Sequence, residues 1–206
     1  MSDGTRDGDT WEPVDPPAAE AIERPRSSLA AVRRLADGWL LDNLDRFDPF
    51  AWSASEERDL RRKAFTEFAL NLYVARGVGA GYDSSAPHDL VVDRVNDRRY
   101  RHLLRRSPRD LLKYSYPVTY ARASDDLDGA TVDAVDAVLD GRTVWSVERV
   151  PYRQMDLWHF CRLYGYDDHS LDRETLLALG SLAHPPNVAN ASLGDLYALP
   201  HNVYYH

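Results

Sequence analysis

The side chains with the most chemistry to offer gather late in the chain. Asp156 and His159 stand three residues apart, so on a helix they share a face, as an acid orienting a base would. If the helices around them pack together, His159 and His201 converge with Tyr197 in a pocket suited to acid–base work or to holding a metal. Tyrosines and histidines also make hydrogen-bonded packing between helices, so a structural reading of Asp156, His159, Tyr197 and His201 stands beside the catalytic one. Cys161 lies two residues from His159, on a different helical face, and is expected to be a small buried apolar group.

A second constellation is basic. At about 100° per residue, Arg94, Arg98, Arg101 and Arg105 fall within roughly 60° of one another and form one stripe along a helix. Residues 94–113 hold eight basic side chains against Asp97 and Asp110. Such a stripe can hold phosphates or an acidic protein face; it can equally be a solvated surface bridged to the chain's own carboxylates. Aromatic residues interleaved as single-strand binding requires are thin, with Tyr100 alone inside it. Two acidic runs read as helix starts. Asp167-Asp168-His169-Ser170-Leu171-Asp172 resembles a magnesium motif but lacks its spacing and a second acidic partner, so Asp172 is expected to cap the next helix. Asp125-Asp126-Leu127-Asp128 lacks the glycine and closing glutamate of an EF-hand loop. No phosphate-binding glycine loop, Gly-x-Ser-x-Gly or His-Glu-x-x-His occurs, and no cofactor or metal is implied.

The elements that must position these groups are helical. Capping signals precede apolar-periodic runs at Ser53 with Glu56, at Ser107-Pro108 with Asp110, and at Ser192 with Asp195. Stops stand at Gly77-Val78-Gly79, Gly141, Gly165 and Gly180. These marks predict about eight helices, over 28–46, 54–76, 87–106, 108–122, 130–140, 151–164, 173–181 and 193–206. Only residues 142–150, RTVWSVERV, compete as a strand. Tyr73, Tyr120, Tyr164 and Tyr205 recur at intervals of 47, 44 and 41, the period of a helix-hairpin repeat, although common helical periodicity also produces such likeness. A further echo sets Lys113-Tyr114-Ser115-Tyr116-Pro117 against Leu196-Tyr197-Ala198-Leu199-Pro200; both prolines are expected to bend their helices.

Composition bounds the rest. In 206 residues, 44% hydrophobic and 11% aromatic, there is room for one domain with a sizeable core, and wholesale disorder is excluded. No stretch is apolar for the ~20 residues that span a bilayer. One cysteine excludes an internal disulfide framework and fits a reducing cytoplasm. The net charge of −8 is uneven, since residues 94–113 alone carry +6. Residues 1–26, rich in acids and proline, are expected to form a mobile tail before a single domain over 27–206.

The closing stretch, Asp195-Leu196-Tyr197-Ala198-Leu199-Pro200-His201-Asn202-Val203-Tyr204-Tyr205-His206, together with the hairpins before it, resembles an uncharacterised all-helical family in which a tyrosine, a histidine and paired aromatics continue into Thr-Asp-Phe-Gly. Pro200 stands where that family usually has Thr. The resemblance implies an α/α-helical fold and a further C-terminal portion; it supplies no activity. The expected architecture is all-α, built of consecutive helical hairpins as in a solenoid or partial toroid. The expected function is a non-enzymatic interaction or scaffold domain that binds a protein or its own copy, with Tyr204, Tyr205 and His206 at the interface. The alternatives are an enzyme with a pocket around Asp156, His159, Tyr197 and His201, and an anion- or nucleic-acid-binding module using the arginine stripe. No membrane partner is expected.

Overall fold

The structure, a computed structural model, describes residues 19–51, 55–80, 84–166 and 172–204. Residues 1–18 of the expected tail, Ser53 of the expected capping box, residues 167–171 of the acidic run, and Tyr205 and His206 lie outside the described residues. Among the described residues there are ten α-helices, three short 3-10 turns and no strand, so the all-α expectation holds with more and shorter helices than eight.

Internal contacts group the chain into two units, residues 1–42 and 43–206. The first holds α1 (Ala19–Asp42), expected as the opening helix of the 27–206 domain; Arg33 and Asp37 pair one turn apart on it at 3.5 Å. The second holds α2 (Ser55–Gly77), α3 (Ala86–Val95), α4 (Arg98–Arg106), α5 (Ser115–Ala123), α6 (Gly129–Leu139), α7 (Arg142–Trp145), α8 (Pro151–Tyr164), α9 (Arg173–Ala178) and α10 (Leu193–Tyr204). Short 3-10 turns fall at Leu44–Phe47, Pro108–Lys113 and Val188–Asn190.

Apolar spacing decides which faces are buried. Phe65, Phe68, Ala69 and Leu72 line one stripe of α2, and Val91 and Val95 one stripe of α3. In α5 a continuous run from Pro117 to Ala121 is buried, which makes it the central helix, packed against α2, α3 and α8. The α4 helix packs on α6, while α9 and α10 lie against α8. Cys161 is buried, as expected. Several predicted caps form. Asp128 accepts the Thr131 amide at 2.6 Å, Asp172 accepts the Thr175 amide at 2.8 Å, and Ser192 and Asp195 cap each other reciprocally. Gly165 ends α8 at φ 83°, a left-handed geometry that glycine adopts without the Cβ penalty.

Two expected helices are corrected, and the segment that competed as a strand forms none. The single helix over 87–106 is broken, because Asp97 turns its carboxylate back to accept the Arg99 amide at 2.7 Å and starts α4 afresh. The helix over 108–122 becomes a 3-10 turn followed by α5. Pro117 has no N–H to offer the Lys113 carbonyl four residues earlier, and the Thr66 hydroxyl on α2 donates to it instead. Pro117 therefore sits in the first turn of α5 and opens a gap before it, whereas Pro200 lies inside α10. Residues 142–145 of the competing strand are the short helix α7, anchored by the Trp145 indole N–H donating to the Leu139 carbonyl.

Candidate functional site

The gap before α5 opens onto two adjoining cavities between α2, α8 and α10. The inner one, of about 170 Å³, is walled by Asp156, His159, Tyr197 and His201, so all four residues singled out in the sequence share one chamber. Thr66, Ser115, Tyr116 and Thr119 add hydroxyl groups to its walls, and Glu67 adds a carboxylate. Asp156 is nearly buried and ion-paired with Arg153 at 3.0 Å. Burial above all, and then the charge of Arg162, hold the His159 imidazole below its ordinary value, with Asp156 opposing. His201 Nδ1 lies 2.9 Å from the Tyr197 carbonyl, which can only accept; Nδ1 therefore carries the proton, and in the neutral ring Nε2 is the acceptor.

Aromatic rings fix the wall contributed by α8 and α10. Tyr197 and His201 lie 4.3 Å apart by ring centres, and Tyr152 meets them at 6.1 and 5.5 Å. The Arg153 guanidinium sits 5.1 Å over Tyr152 and 6.0 Å over Tyr197, so one cation ties the two helices together.

The outer cavity, of about 600 Å³, shares Thr66, Leu112, Arg153 and Tyr197 with the inner one. Its walls carry six cationic side chains, Arg62, Lys63, Arg109, Lys113, Arg149 and Arg153, against two carboxylates, Asp59 and Asp110. Asp110 is committed to Lys113 at 2.9 Å, and Asp59 lies 3.7 Å from Arg62. Arg109 and Arg149 have no carboxylate partner among the described residues. Arg149 Nη1 donates to the Val144 and Val147 carbonyls at 2.6 and 3.2 Å, while its Nη2 is buried without a hydrogen bond. Burial pushes this guanidinium below its ordinary value, so the fold holds a poorly compensated cation at the wall. Sequence reasoning missed this site. Its cations come in pairs, 62/63, 109/113 and 149/153, each an ordinary solvated pair by local pattern, and only the tertiary fold brings them onto one concavity.

The predicted arginine stripe does not survive as one face. Arg94 stays on α3 and reaches Asp48 at 2.8 Å, while Arg98, Arg101 and Arg105 belong to α4. Arg101 is bound to Asp128 at 3.1 Å and to the Asn96 carbonyl. Arg98 and Arg105 are exposed and line neither cavity. Of the predicted interface, Tyr204 ends α10, and Tyr205 and His206 lie outside the described residues. No three His, Cys, Asp or Glu side chains among the described residues are grouped to hold a metal. No helix among them is long and apolar enough to cross a membrane.

Fold and site together define an all-helical domain with a cationic, two-chambered cleft. The model of a family described as a domain of unknown function, DUF6895, matches residues 33–206, and the chain belongs to that family. The match contains the C-terminal segment 195–206 on which the resemblance rested. No curated protein and no solved structure matches the chain.

Proposed function

We propose that the domain binds a small molecule bearing an oxyanion, phosphate or carboxylate, in the outer cavity. One observation carries this reading: three distant segments bring six cations to a single concavity, and beside the four that pair with Asp59, Glu67, Asp110 and Asp156 stand Arg109 and Arg149 with no carboxylate partner among the described residues. Holding like charges together around a poorly hydrated guanidinium costs free energy that a bound anion offsets. The volume suits a metabolite-sized ligand, and the inner chamber places His201, His159 and Asp156 at one end of it. An enzymatic use of the cleft would draw its acid–base groups from there. Nucleic acid is the weaker anionic candidate, because Arg94 and Arg101 of the stripe are engaged within the chain. Isothermal titration with inorganic phosphate tests the reading. Saturable heat that weakens with added salt is expected. Absence of heat, or binding untouched by Arg109→Ala, overturns it.

A second reading, the protein-binding scaffold, is supported by the outward face of α10. Leu193, Leu196 and Val203 are all exposed there, at spacings that place them on one side of the helix. Size-exclusion chromatography with light scattering tests its self-associating form; a strict monomer at high concentration counts against that form. The lone cysteine of the sequence, Cys161, suits the reducing cytoplasm we propose as the setting.

A further inference from the structure

Away from the cleft, three segments bring a hydroxyl, an imidazole and a carboxylate into a row. The Tyr120 hydroxyl on α5 lies 3.0 Å from His88 Nδ1, in the first turn of α3. His88 Nε2 in turn lies 3.5 Å from Asp126 Oδ2, in the turn after α5. The Tyr120 and His88 rings meet edge to face, 5.7 Å between centres.

The backbone around Asp126 is specially held. Asp125, just before it, is the one non-glycine residue with positive φ among the described residues, at 61°. A left-handed residue of this kind costs about 1–2 kcal/mol, so surrounding contacts must hold it. Asn96 supplies them: its Nδ2 donates to the Asp126 carbonyl at 2.8 Å, and its Oδ1 accepts the Asp128 amide at 3.0 Å. The turn that carries the Asp126 carboxylate is thereby held beside the imidazole. Asp126 Oδ2 stands 3.5 Å from Nε2 as a charge contact, which favours the tautomer with its proton on Nε2; that tautomer leaves Nδ1 as the acceptor facing the phenol, as a base toward Tyr120 needs.

Tyr120 and His88 both line a cavity of about 440 Å³, and Asp126 is not among its walls. Arg76 lines the same cavity and has no carboxylate partner among the described residues. Burial raises the Tyr120 phenol above its ordinary value, offset in part by the charge of Arg76, so the hydroxyl keeps its proton until a base removes it.

We propose that Tyr120 is a nucleophile activated by the His88–Asp126 pair, acting on activated acyl esters whose anionic end is held by Arg76. In the first step the Tyr120 oxygen bonds to the acyl carbon and its proton passes to His88 Nδ1. The bond from the acyl carbon to the leaving oxygen then breaks, and that oxygen takes the proton from His88. Water hydrolyses the resulting tyrosyl ester with the same base. This site is independent of the oxyanion cleft.

The test uses the full chain with two anionic electrophiles, 4-(fluorosulfonyl)benzoate and 4-nitrophenyl succinate. With the first, a sulfur–oxygen bond to Tyr120 forms, the sulfur–fluorine bond breaks, fluoride leaves and His88 takes the proton. Peptide mapping should find Tyr120 modified first among the chain's 12 tyrosines. A positioned base contributes about 10²-fold or more, so His88→Gln should slow labelling by about that factor and Asp126→Asn by an intermediate one. The ester should give a burst of one nitrophenolate per chain that Tyr120→Phe abolishes. Circular dichroism and thermal melts establish that each variant is folded. Labelling of Tyr120 no faster than that of other tyrosines, or unchanged in folded His88→Gln and Asp126→Asn, overturns the proposal.

Discussion

Replacing Arg149 with methionine separates what the cleft does for a ligand from what it does for the fold. Methionine keeps an unbranched apolar stem and removes the guanidinium. Without ligand, two effects oppose. The Val144 and Val147 carbonyls lose the charged donor they share, at about 1.5–3 kcal/mol in all, while relief of the guanidinium's partial desolvation, kept small by solvent screening, offsets part of that. The unliganded chain should therefore lose less than about 3 kcal/mol. With ligand a further loss enters. An anion in the cavity draws on the Arg149 charge, and losing one such charge-assisted interaction of about 2 kcal/mol weakens binding roughly 30-fold. Phosphate at about 100 times its dissociation constant stabilises the wild-type chain by about 2.7 kcal/mol, and at that concentration the variant gains only about 0.9 kcal/mol. For a domain of this size these correspond to rises in Tm of about 5–11 °C and about 2–4 °C. Differential scanning calorimetry in phosphate, against sodium chloride of matched ionic strength, measures both. Equal phosphate-dependent shifts in the two proteins, or an equal shift of the wild type in chloride, would refute the oxyanion site.

Three further outcomes follow from the same geometry. Because burial holds folded His159 below its ordinary value, the unfolded chain takes up a proton first as pH falls below about 6.5, so stability contributed by the neutral ring is lost from there downward; His159→Gln should flatten denaturation midpoints between pH 6.5 and 5. Gly165→Ala places a Cβ at φ 83° with nothing within 4 Å of it, so backbone strain alone should cost about 1–2 kcal/mol, read as a lower Tm with an unchanged denaturant slope. Thr66→Val removes the hydroxyl that serves the Lys113 carbonyl and should cost about 0.5–1.5 kcal/mol by chemical denaturation; adding Pro117→Ala restores an amide donor in reach of that carbonyl and should recover part of the loss.

Local chemistry in the chain was legible where it satisfies local needs. Helix starts at Asp128, Asp172 and Ser192 and the stop at Gly165 could be read because each answers orphaned backbone groups within four residues. The cluster of Asp156, His159, Tyr197 and His201 could be read because polar aromatic residues on two successive late helices have one shared face to occupy. The arginine stripe misled for a related reason. Periodicity predicts an uninterrupted helix through residues 96 and 97, but Asn96 is spent on the Asp126–Asp128 turn and Asp97 on capping α4, so Arg94 leaves the face of Arg98, Arg101 and Arg105. The cationic cavity had no local signature, since Arg62, Arg109 and Arg149 meet only through tertiary packing.

The two proline segments that echo each other in the sequence explain why the cleft lies where it does. Pro117 withholds an amide from the Lys113 carbonyl, and Pro200 withholds one from the Leu196 carbonyl. The residue after each stranded carbonyl, Tyr114 in one case and Tyr197 in the other, lines the outer cavity. At the first break the chain opens between the 3-10 turn and α5, and Thr66 bridges the gap from α2. At the second, His201 turns its Nδ1–H onto the Tyr197 carbonyl and its ring into the inner chamber. A helix that surrenders a backbone bond loses stability but gains a place where side chains from neighbouring helices can reach across, and two such places border the one concavity. An oxyanion in that concavity, as we propose, would meet Arg109 and Arg149, the two wall cations that have no carboxylate partner among the described residues.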